Sequence, residues 1–339
     1  MVTMKEIADL ANVSRGTVDR VLNNRGSVSP QTAQKVLQIA NTLGYKPNRA
    51  GMVLAAQKKK LRIGVILFGP ENPFFQPVLE GITEKAEELA AYDCTVLIRR
   101  VTFDAEAQLE AMKELLSQGI HGLVLTPYND PQVIEQINRM VEQGIPVITT
   151  NTDIQGSRRL AYVGSNYYEC GRTAGGLMRL VTGGKARLGI ITGSSQVLCH
   201  TERIAGFLDV IRQTAPDIQV LGISKNHDDE FESYEVTKHF LQEYPQADAI
   251  FFAAAGLQGG CRAIRSGGRQ EHMRVICFDA ETAVPAMVEN GLICASISPQ
   301  PRRQGSLPLE LLFDYLTTGN PPEQEIYYVD AAIKIRENL

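Results

Sequence analysis

At 339 residues the chain is too long for one ordinary core and points to two or three domains. The hydrophobic fraction of 44% suffices to fold them, yet no apolar run approaches a membrane span and the first residues lack a signal-peptide core. A cytoplasmic protein with no membrane partner is therefore expected. The net charge of −4 hides an asymmetry: residues 1–60 carry ten basic side chains against three acidic ones, leaving −11 for residues 61–339. Such a basic first segment calls for a polyanion partner that the remainder does not share.

The first predicted elements are three short amphipathic helices sharing one small core. Ile7, Ala8 and Ala11 recur at helical spacing, then Val18, Val21 and Leu22, then Val36, Leu37, Ala40 and Leu43. Ser14 is a good N-cap for the second helix, because its hydroxyl can accept a first-turn N–H. Asn12–Ser14 supplies the turn. Two helices joined so tightly form a helix-turn-helix, whose second helix can enter the major groove. With the surrounding basic residues, double-stranded DNA is the expected partner.

Asn48–Ala56 follows Pro47 and precedes Gln57 and three lysines. Alone so short a segment, with Gly51 inside it, does not hold a helix.

From Leu61 strands and helices alternate. Strands are expected at 62–67, 94–99, 122–126 and 146–150, with helices at about 75–92, 104–118 and 131–143 between and after them. The rhythm restarts near Tyr162. A helix at 166–181 precedes strand 186–192, helix 201–214, strand 218–224 and helix 231–243. Strand 249–253, helix 257–266, strand 275–279, helix 281–290, strand 294–298 and helix 301–317 follow. Repeated strand–helix units build parallel sheets covered on both faces, and the restart implies two similar lobes. Ligands bind such lobes at the carboxyl ends of their strands. The final 325–339 segment alternates like a strand and shows no leucine heptad.

MKEIADLANVS, TVDRVLN, VSPQTAQKV and LGYKPNRA, in that order and spacing, resemble the headpiece of the lac repressor family of bacterial regulators. The downstream part resembles the periplasmic sugar-binding-protein fold that this family carries. The resemblance implies a small all-α helix-turn-helix domain (1–46), then a hinge helix and linker (47–60). A two-lobed α/β, periplasmic-binding-protein-like sensor with parallel sheets (61–339) follows, which also dimerises. Three crossings between lobes are placed near Val163–Ser165, Gly291–Ile293 and Gly319–Pro322. They give a first lobe of about 61–163 and 293–320, and a second of about 164–292 and 321–339.

Candidate DNA-contacting residues are Thr3, Ser14, Arg15, Gly16, Thr17, Arg20, Asn23, Asn48, Arg49 and Leu54. Arg15 and Arg20 suit guanine, although Arg20 serves equally as a phosphate clamp. In the family the hinge folds on operator DNA and wedges a leucine into the minor groove, and Leu54 matches it. The family usually has Ser where Asp19 stands; either the helix tilts differently or Asp19 accepts from a base amine, such as that of cytosine. Gly16 offers no side chain to read bases.

For the effector, Asn72 supplies an amide and Phe74 and Phe75 flat apolar faces, the two things a pyranose requires; core packing is the alternative for the two phenylalanines. Asp279 ends a strand as a carboxylate for ligand hydroxyls. Thr126, Asn151, Thr201 and Gln300 complete the candidate set. Relative to ribose-type proteins the chain has Asn151-Thr152 for Asp-Arg, Thr201 for an arginine, and Ala255-Gly256 for Asn-Asp. This implies a less polar or differently oriented ligand: a sugar or polyol before a sugar phosphate.

Enzyme chemistry finds no support. No G-x-G-x-x-G follows the 62–67 strand, and neither a Walker loop nor a G-x-S-x-G elbow is present. Thr192–Ser195 could cradle an anion at a helix start, though a tight polar turn explains it as well. Six widely spaced cysteines without a C-x-x-C pair read as buried reduced thiols. Five scattered histidines make no metal site, so neither metal nor cofactor is expected. The expectation is a ligand-responsive repressor that binds a near-palindromic operator as a homodimer without a tetramerising tail. A transport-type solute-binding protein would share the lobes but not the headpiece. A sugar-modifying α/β enzyme would need a catalytic constellation.

Overall fold

The computed structural model describes residues 2–22, 28–43, 60–69, 72–279 and 284–339. Its first unit is helical: α1 (Met4–Ala11), α2 (Arg15–Leu22) and α3 (Pro30–Thr42). Thr3 and Glu6 cap α1 reciprocally, each side chain accepting the other's backbone N–H. Asn12, left-handed at φ 57°, ends α1. Ser14 Oγ then accepts the Thr17 N–H at 3.1 Å and starts α2. Ile7, Ala8, Ala11, Val18, Val21, Val36 and Ala40 form the small core. Leu37 and Leu43 do not join it: they are 46% and 36% exposed, because the buried stripe of α3 runs through Val36 and Ala40.

Two six-stranded sheets follow. The first holds β1 (Arg62–Phe68), β2 (Thr95–Val101), β3 (Gly122–Leu125), β4 (Val147–Thr150), β5 (Ala161–Gly164) and β11 (Ile326–Tyr328), in the order β11-β5-β4-β3-β1-β2. The second holds β6 (Lys185–Thr192), β7 (Asp217–Lys225), β8 (Ala249–Phe252), β9 (Arg274–Phe278), β10 (Ala295–Ser298) and β12 (Ala332–Lys334), in the order β12-β10-β9-β8-β6-β7. All pairs are parallel except β10–β12. Strands β1 to β5 are arranged in their sheet as β6 to β10 are in theirs, the same wind drawn twice. Parallel strands covered on both faces read as unbroken apolar runs, and in β1 every residue after Arg62 is buried.

Helices α4 (Phe75–Ala90), α5 (Ala105–Ser117), α6 (Pro131–Glu142) and α12 (Pro301–Thr318) cover the first sheet. Helices α7 (Tyr167–Thr182), α8 (Leu198–Thr214), α9 (Glu230–Glu243), α10 (Leu257–Ser266) and α11 (Val284–Glu289) cover the second. All six cysteines are free, and all but Cys294 are buried. Among the described residues no helix is long and apolar enough to cross a membrane.

Two of the three expected crossings need correction. The chain passes from the first sheet to the second after β5, but it returns at Pro299–Gln300, not at Gly291–Ile293. The reason is that β10 pairs with β9, Ile297 opposite Phe278, and so extends the second sheet. The last crossing lies between β11 and β12, not at Gly319–Pro322, because β11 pairs with β5 in the first sheet. Gly291 and Gly319, at φ 73° and 74°, are left-handed residues that close α11 and α12. They punctuate helices and mark no lobe boundary.

Candidate functional site

Helix α2 turns Val18 and Val21 inward, which leaves Ser14, Arg15, Gly16 and Arg20 exposed and Thr17 half-buried. Ser14 and Thr17 are tied to each other, their hydroxyls 2.9 Å apart, and Arg20 Nε donates to Gly16 O at 3.1 Å. Arg15 thus stands on an exposed face whose neighbours are locked by the cap. A Cβ on Gly16 would meet only Ser14 Oγ, at 3.8 Å, so no contact within the chain demands glycine there. Thr3 is exposed, its oxygen used in the cap of α1. Asn23, Asn48, Arg49 and Leu54 lie outside the described residues.

Between the two sheets, where their strands end, lie two small adjoining cavities that share part of their lining. Asn72, Phe74 and Asp279 line both; Phe75 and Asn151 line the second. Asn72 Oδ1 accepts the Phe74 N–H at 3.0 Å, which fixes the turn into α4. The rings of Phe74 and Phe75 meet edge to face at 5.3 Å. Each is buried, so both belong to the first lobe's core as well as to the cavity wall. Asn151, left-handed at φ 65°, donates Nδ2 to the Tyr167 hydroxyl at 2.9 Å. Asp279 is left-handed too, at φ 68°.

Three expected residues are not brought to the cavity. Helix α8 begins at Leu198, so Thr201 falls on its exposed side and returns its hydroxyl to Leu198 O at 2.8 Å. Gln300 is the exposed, left-handed N-cap of α12. One turn on, Gln304 is fully buried against Asn151 and Tyr167. Thr126 is buried in the strand end, its carbonyl accepting from Gln108 Nε2 at 2.9 Å, and does not line either cavity.

The same helix start supplies what Thr201 does not. It carries Arg203 to the cavity floor, with the guanidinium 4.0 Å from the Phe278 ring centre and 4.6 Å from that of Tyr167. Nη1 donates to Ala253 O at 2.9 Å, while Nε is buried with no partner among the described residues. Burial opposes the charge of Arg203, but Cys199, Asp279, Tyr167 and Cys170 outweigh it and hold the guanidinium above its ordinary range. The pocket has therefore kept one strong cationic donor. His200, Asp228, Phe103 and Glu230 also line it. Burial lowers the proton affinity of His200 against the pull of Asp228, with Arg203 adding to the lowering, so the imidazole is neutral at neutral pH. Burial likewise raises the Glu230 carboxyl, which accepts the Gly259 N–H.

The pocket offers amide, carboxylate and guanidinium edges beside aromatic faces, an arrangement that binds polyhydroxylated rings. Among the described residues no cluster of His, Cys, Asp or Glu could hold a metal. Thr192–Ser195 is no anion cradle. It is followed by a turn and α8 starts only at Leu198, while the Asp228 carboxylate packs against Gly193.

Residues 3–48 match the family described as bacterial regulatory proteins, lacI family, and residues 63–321 match the periplasmic binding protein domain. The HTH-type transcriptional regulator CelR of Thermobifida fusca is 25% identical over 99% of this chain and 98% of its own length. The ribose operon repressor of Halalkalibacterium halodurans is 25% identical, covering 82% of this chain and 80% of that protein. Among solved structures, GanP, a glucose-galactose binding protein from Geobacillus stearothermophilus, superposes with a TM-score of 0.76 at 22% identity, over 82% of this chain and 98% of its own. An ABC transporter solute binding protein from Bacillus halodurans with bound myo-inositol gives 0.76 at 17%, over 82% and 96%. At these identities the solved structures speak for the fold alone.

Proposed function

Since the chain belongs to the lacI family of bacterial regulatory proteins, with a periplasmic binding protein domain as its larger part, and is a ligand-responsive DNA-binding regulator, we propose that it is a cytoplasmic repressor. It acts as a homodimer on a near-palindromic operator and answers to a sugar or polyol. It works by binding and not by catalysis. The observation that carries this reading is the meeting of two lobes over one cavity. Asn72, Phe74 and Phe75 come from the first lobe, and Arg203 and Asp279 from the second. A ligand that touches both walls favours one lobe arrangement over another. Because both DNA and ligand then bias the same equilibrium, each changes the other's affinity by the same factor. Arg15, exposed on α2, reads a base; Arg20, tied back to Gly16, reads a base or clamps a phosphate.

The test is a gel shift of the protein on the DNA upstream of its own gene, titrated with neutral and derivatised sugars and polyols. A specific shift that one of them weakens or strengthens is the expected outcome. A protein that binds this DNA no better than random sequence, and ignores every sugar, refutes the reading.

A further inference from the structure

The cavity is unusual in its charge. Among the described residues three carboxylates line it (Asp228, Asp279 and Glu230) against the one guanidinium of Arg203. Asp279 lies in the field of Arg203, whose charge it supports. Asp228 has no such relief: among the described residues no lysine or arginine is within salt-bridge distance of it. Its side chain is 3% exposed. Oδ1 accepts the Ala255 N–H at 3.0 Å, and among the described residues Oδ2 has no hydrogen-bond partner. The nearest ionisable neighbour is His200, whose Nε2 lies 3.6 Å from Oδ1. The Nδ1 of that ring faces the Ser194 carbonyl at 3.2 Å, and a carbonyl can only accept. Nδ1 therefore carries a proton, while Nε2 lies too far from Oδ1 for a hydrogen bond.

The chain is shaped to hold this acid in place. His227 and Asp228 are both left-handed, at φ 45° and 62°. Asn226 braces the turn, its Oδ1 accepting the Asp228 N–H at 3.1 Å and its Nδ2 reaching Ala255 O at 2.6 Å. Gly193 leaves room beneath: a Cβ there would lie 2.6 Å and 2.7 Å from Cε1 and Nδ1 of His200, and nearer still to Asp228 Oδ2. A buried carboxylate without a cation is costly, and its loss of water must be offset by hydrogen bonds or a charged partner. A ligand hydroxyl would satisfy the open oxygen but leave the charge. An ammonium does both, while a phosphate or carboxylate ligand would add negative charge to a lining that sets three carboxylates against one guanidinium.

We infer that the effector carries a protonated amine, as an amino sugar or amino polyol does, and that Asp228 is the residue that selects it. This inference rests on the cavity being the effector site.

The experiment is a thermal-shift and calorimetric comparison of matched pairs on the full chain at neutral pH. The pairs are D-glucosamine with D-glucose, D-galactosamine with D-galactose, and 1-amino-1-deoxy-D-glucitol with D-glucitol. The expected result is that the amine of at least one pair binds tighter than its neutral partner by about tenfold or more. In Asp228→Asn, which keeps the shape, that preference collapses. Equal or better binding of the neutral partners overturns the inference and leaves the sugar-site reading standing. Silence of all six compounds overturns both. The wild-type comparison decides the matter even if the variant does not fold, and an Asp228→Asn protein that retains the amine preference removes Asp228 from the role.

Discussion

The crossing of α7 and α8 gives the sharpest test of the fold, because two glycines on one helix face opposite fates. Gly171 of α7 lies against the α8 backbone at Arg203: an added Cβ would sit 2.8 Å from the carbonyl carbon and 3.0 Å from Cα, with the carbonyl oxygen nearer still. Real Cβ atoms essentially never come within 3.0 Å of another atom, and helical backbone cannot rotate away as a side chain can. Gly171→Ala must push the helices apart by about 1 Å, an overpacking that costs roughly 1–3 kcal/mol. Five residues on, Gly176 has nothing within 4 Å of the same built atom. There the change only removes backbone freedom from a helix interior, so Gly176→Ala should stabilise by about 0.5–1 kcal/mol. Urea denaturation of the two variants, with equal m-values, reads the sign directly. Because Arg203 rides on the displaced backbone, Gly171→Ala should also weaken effector binding, and Gly176→Ala should not. A Gly171→Ala protein as stable as wild type would mean that the helices do not cross in this way.

Three further outcomes are expected. Arg15→Ala should cost about 1–3 kcal/mol at the operator and relax one base position in a binding-site selection, whereas unchanged affinity across sequence variants would remove Arg15 as a reader. Asp279→Ala should abolish the effector's influence on operator affinity while DNA binding without effector stays near wild type; a normal response would place the pocket elsewhere. His200 is held neutral when folded, its proton affinity lowered mainly by burial, so the unfolded chain takes up a proton near pH 6.5 that the folded chain refuses. The stability this group allows is whole above pH 6.5 and drains away below it, toward a limiting slope of about 1.4 kcal/mol per pH unit. His200→Gln should flatten the melting temperature between pH 7 and 5, and an unaltered acid slope would contradict the burial argument.

Much of the architecture could be read from the residues because parallel strands covered on both faces, such as Ile63–Phe68 and Ala249–Phe252, are unbroken apolar runs. The headpiece was legible for a different reason: its caps are local, Thr3 with Glu6 and Ser14 with Thr17. Where the reading went astray, the deciding contact was distant. Gly291 and Gly319 look like boundaries until the pairing of β10 with β9 and β11 with β5 shows which sheet each strand joins. Helix α8 has Val197 at its N-cap and no side-chain cap, so nothing local announces that it begins before Thr201 and points Arg203 inward. Gln304 meets the cavity wall through Asn151 and Tyr167, each well over a hundred residues away. Asp228 is set by Gly193, His200 and Ala255, brought to it from two other strand ends.

The return of the chain to its first sheet has a consequence for how the protein is made. The second lobe is nearly continuous in sequence: β6 through β10 and all their helices are available once residue 298 has been added. The first lobe is begun more than a hundred residues earlier, yet it needs α12, whose Leu309, Leu312 and Phe313 close one face of its core, and then β11 at its edge. Domains of a nascent chain fold as they emerge from the ribosome, and contacts between distant segments form slowly. The lobe started first therefore lacks a large part of its core while nearly all of the second is in hand, and until α12 arrives Val65, Leu67, Val78 and Ile82 wait without their cover. During that interval a growing chain is an open sheet beside one that lacks only its edge strand, the state in which a chaperone has most to hold.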